Sequence, residues 1–471
     1  MNKKLKNLLL LPLLLWAGAF MAQPKPSAAQ LAWHDMEFYL FMHFGPNTFT
    51  DKEWGLGTEP EDIFNPTELD CRQWCRVARA AGAKGIIITA KHHDGFCLWP
   101  SRFSKHTVRE SKWKNGKGDV LKELSAACKE YGLKFGVYIS PWDRNHPDYG
   151  TDKYNAVFVN MMKELFSNYG PIWELWWDGA NGEGPNGKKQ VYDWALFRET
   201  VKKLSPNTVI FSDVGPHIRW VGNENGEAGE TNWNTLDTAG FTPGAGAPPQ
   251  DTLKKGNISG RAWVPAECDV SIRPGWFYHK GEDDKVKTPE KLVELYLKSV
   301  GRGSTLLLNV PPDRRGRIHA NDSASLVGFN RLLAANFVSD ELINEGPVLN
   351  NVWAGKSGLD NRTEFRFSSY PDNRPVYLQF NFETPRLINC VILKEVIRYG
   401  QAVRLLNLRI EKKDGSVFYR NLTTIGHKRI ITFPAVEART ITITVIDAAG
   451  DVFLYRPACY LIEGNLTEKR N

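Results

Sequence analysis

The sequence predicts a (β/α)8-like barrel followed by a C-terminal antiparallel β-sandwich. Three observations predict it. From residue 35 to about 310, short apolar runs alternate with amphipathic stretches of helical period. No GxGxxG or P-loop pattern follows any of those runs, which weighs against a nucleotide-binding open sheet. After about residue 343 the texture changes to short segments of alternating polarity separated by turns such as KKDGS. The chain is accordingly divided into an export signal over 1–22, a barrel over 23–343 and a sandwich over 344–471.

Seven runs read as buried parallel strands: FYLFMHF (38–44), GIIITA (85–90), KFGVYIS (134–140), IWELWW (172–177), TVIFS (208–212), AWVPAE (262–267) and STLLLNV (304–310). Helical stretches cover roughly 66–81, 119–131, 153–168, 189–204 and 289–301. The clearest has Asp119 placed to cap it and Gly132 to end it. Val120, Leu121, Leu124, Ala127, Cys128 and Tyr131 form its apolar stripe. The eighth strand is not placed. The stretch 213–260 is rich in Gly, Asn, Pro and Glu without periodicity, and a loop that long inside a domain is usually functional. The sandwich segments show no concentrated Trp/Tyr platform, so their expected role is packing against the barrel.

The start MNKKLKNLLLLPLLLWAGAFMAQ combines a basic region, an apolar run from Leu8 to Phe20 and small residues after it. That is a secretory signal, which places the mature protein in the periplasm or outside the cell and off the membrane. The seven cysteines are odd in number and sparse, so they form no disulfide framework. The net charge of +7 is spread along the chain without a basic stripe, which excludes nucleic acid as the expected partner. Aromatics are abundant, with 16 Trp, 15 Tyr and 24 Phe, and aromatic faces stack on the apolar faces of sugar rings.

In a barrel, chemistry gathers at the C-terminal ends of the strands. Four strand ends here carry polar groups. The first ends in MHFG with His43, and Glu53 and Trp54 follow a short loop later. The second ends in KHHDGF with His92 and His93, the third holds Tyr138, and the fourth ends in WWDG with Trp176 and Asp178. Such a set can hydrogen-bond several hydroxyls and wall an apolar ring face. A retaining glycosidase needs a nucleophilic carboxylate and a second carboxyl as acid/base. Asp178 suits the first role. The loop offers Asp213, Glu224, Glu227 and Glu230 for the second, and spacing places Glu224 only slightly ahead of the others. Metal catalysis is the competing chemistry, but no HxH or HExxH spacing occurs, and adjacent His92 and His93 would point to opposite sides of an extended chain. No metal and no cofactor is expected.

Taken together, FMHFGPNTFTDKEWG (41–55), KGIIITAKHHDGFCLWPS (84–101), GVYISPWD (136–143), WELWWDGANG (173–182) and LLLNVPPDRRGRI (306–318) resemble the α-L-fucosidases of glycoside hydrolase family 29. The resemblance implies a retaining exo-acting mechanism on fucosylated oligosaccharides or glycoconjugates, with Asp178 as nucleophile. It implies a fucose pocket lined by His43, Glu53, Trp54, His92, His93, Tyr138 and Trp176. The RWVGNE segment is similar to the branch that cleaves α-1,3 and α-1,4 linkages in Lewis-type glycans, which implies Glu224 as acid/base. SIRPGWFYH (271–279) resembles a further pocket wall, through Trp276 and, more weakly, Arg273. Two alternatives share these motifs: a fucose-binding protein without catalysis, and an exo-glycosidase of related fold acting on another sugar.

Overall fold

The computed structural model describes residues 23–357, 362–367 and 376–466. The expected export signal over 1–22 lies outside them.

Eight parallel strands close into a barrel: β1 (Phe38–Met42), β2 (Gly85–Lys91), β3 (Lys134–Ile139), β4 (Glu174–Trp176), β5 (Val209–Ser212), β6 (Ile218–Trp220), β7 (Ala266–Ser271) and β8 (Thr305–Asn309). Each pairs with its sequence neighbour, and β8 closes on β1 through Phe38↔Leu306 to Phe41↔Asn309. Strands β1 and β2 are buried along their whole length, as expected when helices cover the outside and side chains fill the inside.

The expected helices form. The helix Val120–Tyr131 is capped where the sequence places its signals. Asp119 accepts from the Lys122 amide, and Gly132 ends it in the left-handed region at φ 66°. Val120, Leu121, Leu124, Ala127 and Cys128 are the residues it buries.

Two strand assignments need correction. The eighth strand is β6, three residues inside the stretch taken as loop. No helix separates it from β5, so the strand–helix alternation that reveals the others is broken there. The strand expected at 262–267 is displaced. Ala262–Trp263 pairs antiparallel with Thr235–Leu236, and the barrel strand is Ala266–Ser271. Its sequence AECDVS does not look apolar, because Glu267 and Asp269 point into the barrel and are buried there among polar partners.

The C-terminal region forms two antiparallel sheets. One holds Pro347–Asn350, Tyr377–Leu393, Arg429–Ala448, Val403–Lys412 and Val417–Leu422, with Ala458–Tyr460 on its side. The other holds Val352–Lys356, Thr363–Phe367 and Val452–Tyr455. Phe365 and Leu454 from the second meet Leu408, Ile441 and Val391 from the first in one apolar core. The sandwich packs on the barrel, as expected. Gln401 donates to the Asn232 carbonyl at 3.0 Å and accepts from the Asn234 amide at 2.8 Å, while Arg429 donates to the Glu230 carbonyl at 2.8 Å. These bonds hold down the far part of the long loop.

Candidate active site

Beyond the C-terminal ends of the strands lies a cavity of about 220 Å³. Its lining includes Phe41, His43, Glu53, Trp54, His92, His93, Tyr138, Trp176, Asp178, Ala180, Glu224, Asp269 and Trp276. The structure thus brings all ten expected site residues to one mouth.

Asp178 follows β4 directly. Tyr138 donates to its Oδ2 at 2.9 Å, and the Ala180 amide donates to Oδ1 at 2.7 Å. Burial, then the Asp178 charge, pushes the Tyr138 phenol well above its ordinary range, so it stays protonated and keeps donating. The glycine of WWDG has a steric reason. A Cβ on Gly179 would stand 2.8 Å from Asp213 Oδ2.

Trp176 is the floor. It stacks on Phe211 with centroids 4.0 Å apart and donates through Nε1 to Glu267 at 2.8 Å. Below it Glu174 and Glu267 form a buried carboxyl pair with Tyr39 and Trp33. Burial, then the Glu267 charge, raises Glu174 well above the carboxylate range, so the pair holds a proton rather than two charges. Trp177 does not share the wall role that its position in the motif invites. Strand alternation turns it outward, where it is fully buried against Trp194 and Phe197.

His92 and His93 overturn the argument from an extended chain. They sit past β2 in a turn closed by the Gly95 amide donating to the His92 carbonyl at 3.0 Å. Both rings therefore enter the cavity, with centroids 4.1 Å apart. Their neighbours fix the tautomers. Ser140 gives its hydroxyl hydrogen to the Trp142 carbonyl at 3.0 Å, so it accepts from His93 Nδ1 at 2.8 Å. Asn309 donates through Nδ2 to Ser271 and the Trp276 carbonyl, so its Oδ1 accepts from His43 Nδ1 at 2.8 Å. His43 and His93 are each left with Nε2 as an acceptor, while the buried His92 Nδ1 has no partner among the described residues. His93 Nε2 stands 3.7 Å from Asp178 Oδ2, a gap between two acceptors suited to a ligand hydroxyl.

Burial lowers His43 and His93 to about 4. Both are therefore neutral above about pH 5 and become cationic only as pH falls through 4. The expected pH profile of kcat/KM has no acid limb near 6.5, the ordinary imidazole value. A limb found at 6.5 and removed by His43→Asn or His93→Asn would contradict neutral histidines.

The four loop carboxyls separate. Glu224 lines the cavity and accepts from Trp276 Nε1 at 3.2 Å. Glu227 is ion-paired to Lys298 at 2.8 Å, and Glu230 is exposed, 3.9 Å from Arg302. Asp213 accepts from the Gly244 amide at 3.3 Å outside the cavity lining, and burial raises it to about 6.

Glu53 lines the rim with both oxygens engaged, by the Trp276 amide at 2.8 Å, the Phe277 amide at 3.2 Å and His279 Nε2 at 2.6 Å. Its carboxylate therefore also fixes the segment that carries Trp276. Trp54 is 56% exposed, an aromatic edge at the entrance.

Three lining residues lie outside the expected set: Ala180, which follows the WWDG motif, Phe41 and Asp269. Phe41 gave no signal beyond an apolar strand. Asp269 lies on β7, the strand that was misplaced. It is 4% exposed and accepts from Trp220 Nε1 at 3.0 Å. Burial, then the neighbouring Glu224 and Glu267, raises its carboxyl well above the ordinary range, so it is neutral beside Glu224.

Arg273 is corrected. Its guanidinium turns away from the cavity into Asp322 at 2.6 Å and Asp283 at 2.9 Å, and stacks over Tyr278 at 4.8 Å. Arg273→Met would strand the buried Asp322. The expected cost is about 3–5 kcal/mol in denaturant unfolding, with KM little changed. A tenfold rise in KM at unaltered stability would return Arg273 to the pocket.

A barrel whose mouth gathers carboxyls, neutral imidazoles and tryptophans around a sugar-sized cavity defines a glycoside hydrolase. The comparisons make it specific. Residues 28–337 match the α-L-fucosidase family model. Alpha-L-fucosidase 1 of Arabidopsis thaliana is 38% identical over 449 residues, covering 93% of this chain and 88% of that one. The chain superposes on a glycoside hydrolase 29 family member from an unknown rumen bacterium with a TM-score of 0.82. That match has 40% identity and covers 95% of this chain and 80% of the other. It superposes equally well, at 27% identity, on a Ruminococcus gnavus fucosidase of the same family solved in complex with fucose, covering 95% of this chain and 98% of that one. The chain belongs to the α-L-fucosidase family and is an enzyme of that class.

Proposed function

We propose that the protein is a retaining exo-α-L-fucosidase that removes terminal α-1,3/1,4-linked fucose from Lewis-type branched glycans after export. The observation that carries the mechanism is the selection among carboxyls. Of the four loop candidates, Glu224 alone joins Asp178 in the cavity lining. Asp178 attacks C1 of the fucosyl unit as Glu224 protonates the departing glycosidic oxygen. The C1–O bond breaks and a glycosyl ester forms on Asp178. Glu224, now a carboxylate, takes a proton from water, and the hydroxide oxygen attacks C1 and releases Asp178. The acceptor Nε2 atoms of His43 and His93 suit ring hydroxyls, and the aromatic floor suits an apolar sugar face.

The linkage reading rests on the RWVGNE segment, in which Trp220 now has a role as donor to Asp269. Incubation with Lewis-type trisaccharides and with 2′-fucosyllactose tests it. Release of fucose from the branched substrates at least about tenfold faster supports the proposal, and preference for the α-1,2 substrate overturns it. Product configuration by proton NMR at early times tests retention.

A further inference from the structure

A second cavity, about 680 Å³, lies in the seam between barrel and sandwich. It is far larger than the catalytic one and in the range of ligand pockets, which favour domain interfaces. Tyr296, Phe337 and Tyr460 offer aromatic surface along it. Its charged lining is of one sign: Lys356, Arg362, Lys394, Lys428 and Arg456, with no carboxyl among its described lining residues.

The positive groups are unequally compensated. Lys428 is answered by Glu37 at 2.5 Å. Arg456 donates to the Leu342 and Glu345 carbonyls and lies over Phe380 at 5.2 Å, contacts that bring no counter-charge, and its buried Nε has no protein partner among the described residues. Lys394 is half-buried on the wall shared with an adjoining cavity of about 420 Å³. No described side chain bonds or ion-pairs its ammonium. Burial, then the Lys428 charge, lowers it to about 8. Its ammonium feels the cations Lys428 and Arg362 and the carboxylates Glu37 and Asp35 but is ion-paired with none of them, so an anion in the cavity offsets its partial desolvation.

We propose that the seam cavity binds an acidic saccharide, its carboxylate or sulfate held by Lys394 and Arg456 and a ring face resting on the tyrosines. The catalytic cavity is built for the opposite charge. Its lining carries Glu53, Asp178 and Glu224 beside a neutral Asp269 and neutral histidines, so an acidic sugar is disfavoured there.

The test is calorimetric titration of the full chain with N-acetylneuraminic acid, galactose 6-sulfate, galactose and decanoate. We expect saturable binding of one or both acidic sugars and none of galactose. The tighter of the two identifies the acid as carboxylate or sulfate. Lys394→Met should weaken that binding at least about tenfold, and raising salt from about 20 mM to about 0.5 M should weaken it similarly. Asp178→Asn should leave it intact, which separates the seam from the catalytic site. If Lys394→Met fails to fold by circular dichroism, Lys356→Glu on the exposed rim replaces it, with a loss of about threefold or more. Binding of neither acidic sugar, equal binding of galactose, binding of decanoate alone, or an unchanged Kd in the folded variant overturns the proposal.

Discussion

Asp178→Ala is expected to lower turnover of an aryl α-L-fucoside by at least about 10³-fold, a loss of about 4 kcal/mol of transition-state stabilisation. On the proposed double-displacement route the reason is covalent. Without the carboxylate no glycosyl ester forms, and no other cavity carboxyl replaces it. Glu53 is tied to two amides and His279, and Asp269 is a neutral acid held by Trp220. The fold should persist, because among the described residues Asp178 takes only two hydrogen bonds, from Tyr138 and the Ala180 amide, and lies on the cavity side. Azide should rescue the variant and yield the fucosyl azide of inverted configuration, since a small anion occupies the vacated space and attacks C1 directly. Turnover near that of the wild type would remove Asp178 from the nucleophile role.

Glu224→Ala should divide substrates by leaving group. On Lewis-type oligosaccharides, whose sugar alkoxide needs a proton, the expected loss is about 10²–10⁴-fold. On a dinitrophenyl fucoside, whose phenolate leaves unaided, the first step survives and the glycosyl ester accumulates. Azide then attacks the ester and gives the fucosyl azide of retained configuration, the opposite of the Asp178→Ala product. Equal losses on both substrates with no azide product would sink the acid/base assignment. If instead Asp269→Asn shows the split and the rescue, the role moves to Asp269. That outcome is physically distinct, because Asp269 is buried and Glu224 is an exposed loop residue reached by the Trp276 indole.

Much of the site was legible because it lies on strand ends. Once β1, β2, β3 and β4 are recognised by their apolar runs, His43, His92, Tyr138 and Asp178 must emerge at one face of a barrel. What was not legible was direction. Trp176 and Trp177 are adjacent and chemically identical, yet one floors the cavity and the other packs on Phe197, because a strand sends neighbours to opposite sides. His92 and His93 are adjacent too, yet share the cavity, because the strand has already ended and Gly95 supplies a turn. The same spacing gives opposite results, and only the backbone decides between them.

Burial of charge hid the rest. Strand β7 escaped because Glu267 and Asp269 make it look like a surface segment. It is buried because Tyr39, Trp176 and Trp220 bond those carboxyls from other strands. Arg273 looked like a pocket cation and is instead locked into Asp322 and Asp283.

The sequence by itself determined the alternation that makes a barrel, the change of texture that makes a sandwich, and the residue types at the strand ends. These are local properties, carried by periodicity, caps and turns. The tertiary structure alone decided which loop carboxyl lines the cavity with Asp178, which nitrogen of His43 and His93 is left to accept, and where the cations of the seam collect. Those depend on contacts between segments as far apart as Glu37 and Lys428 or His43 and Asn309, which no local pattern records.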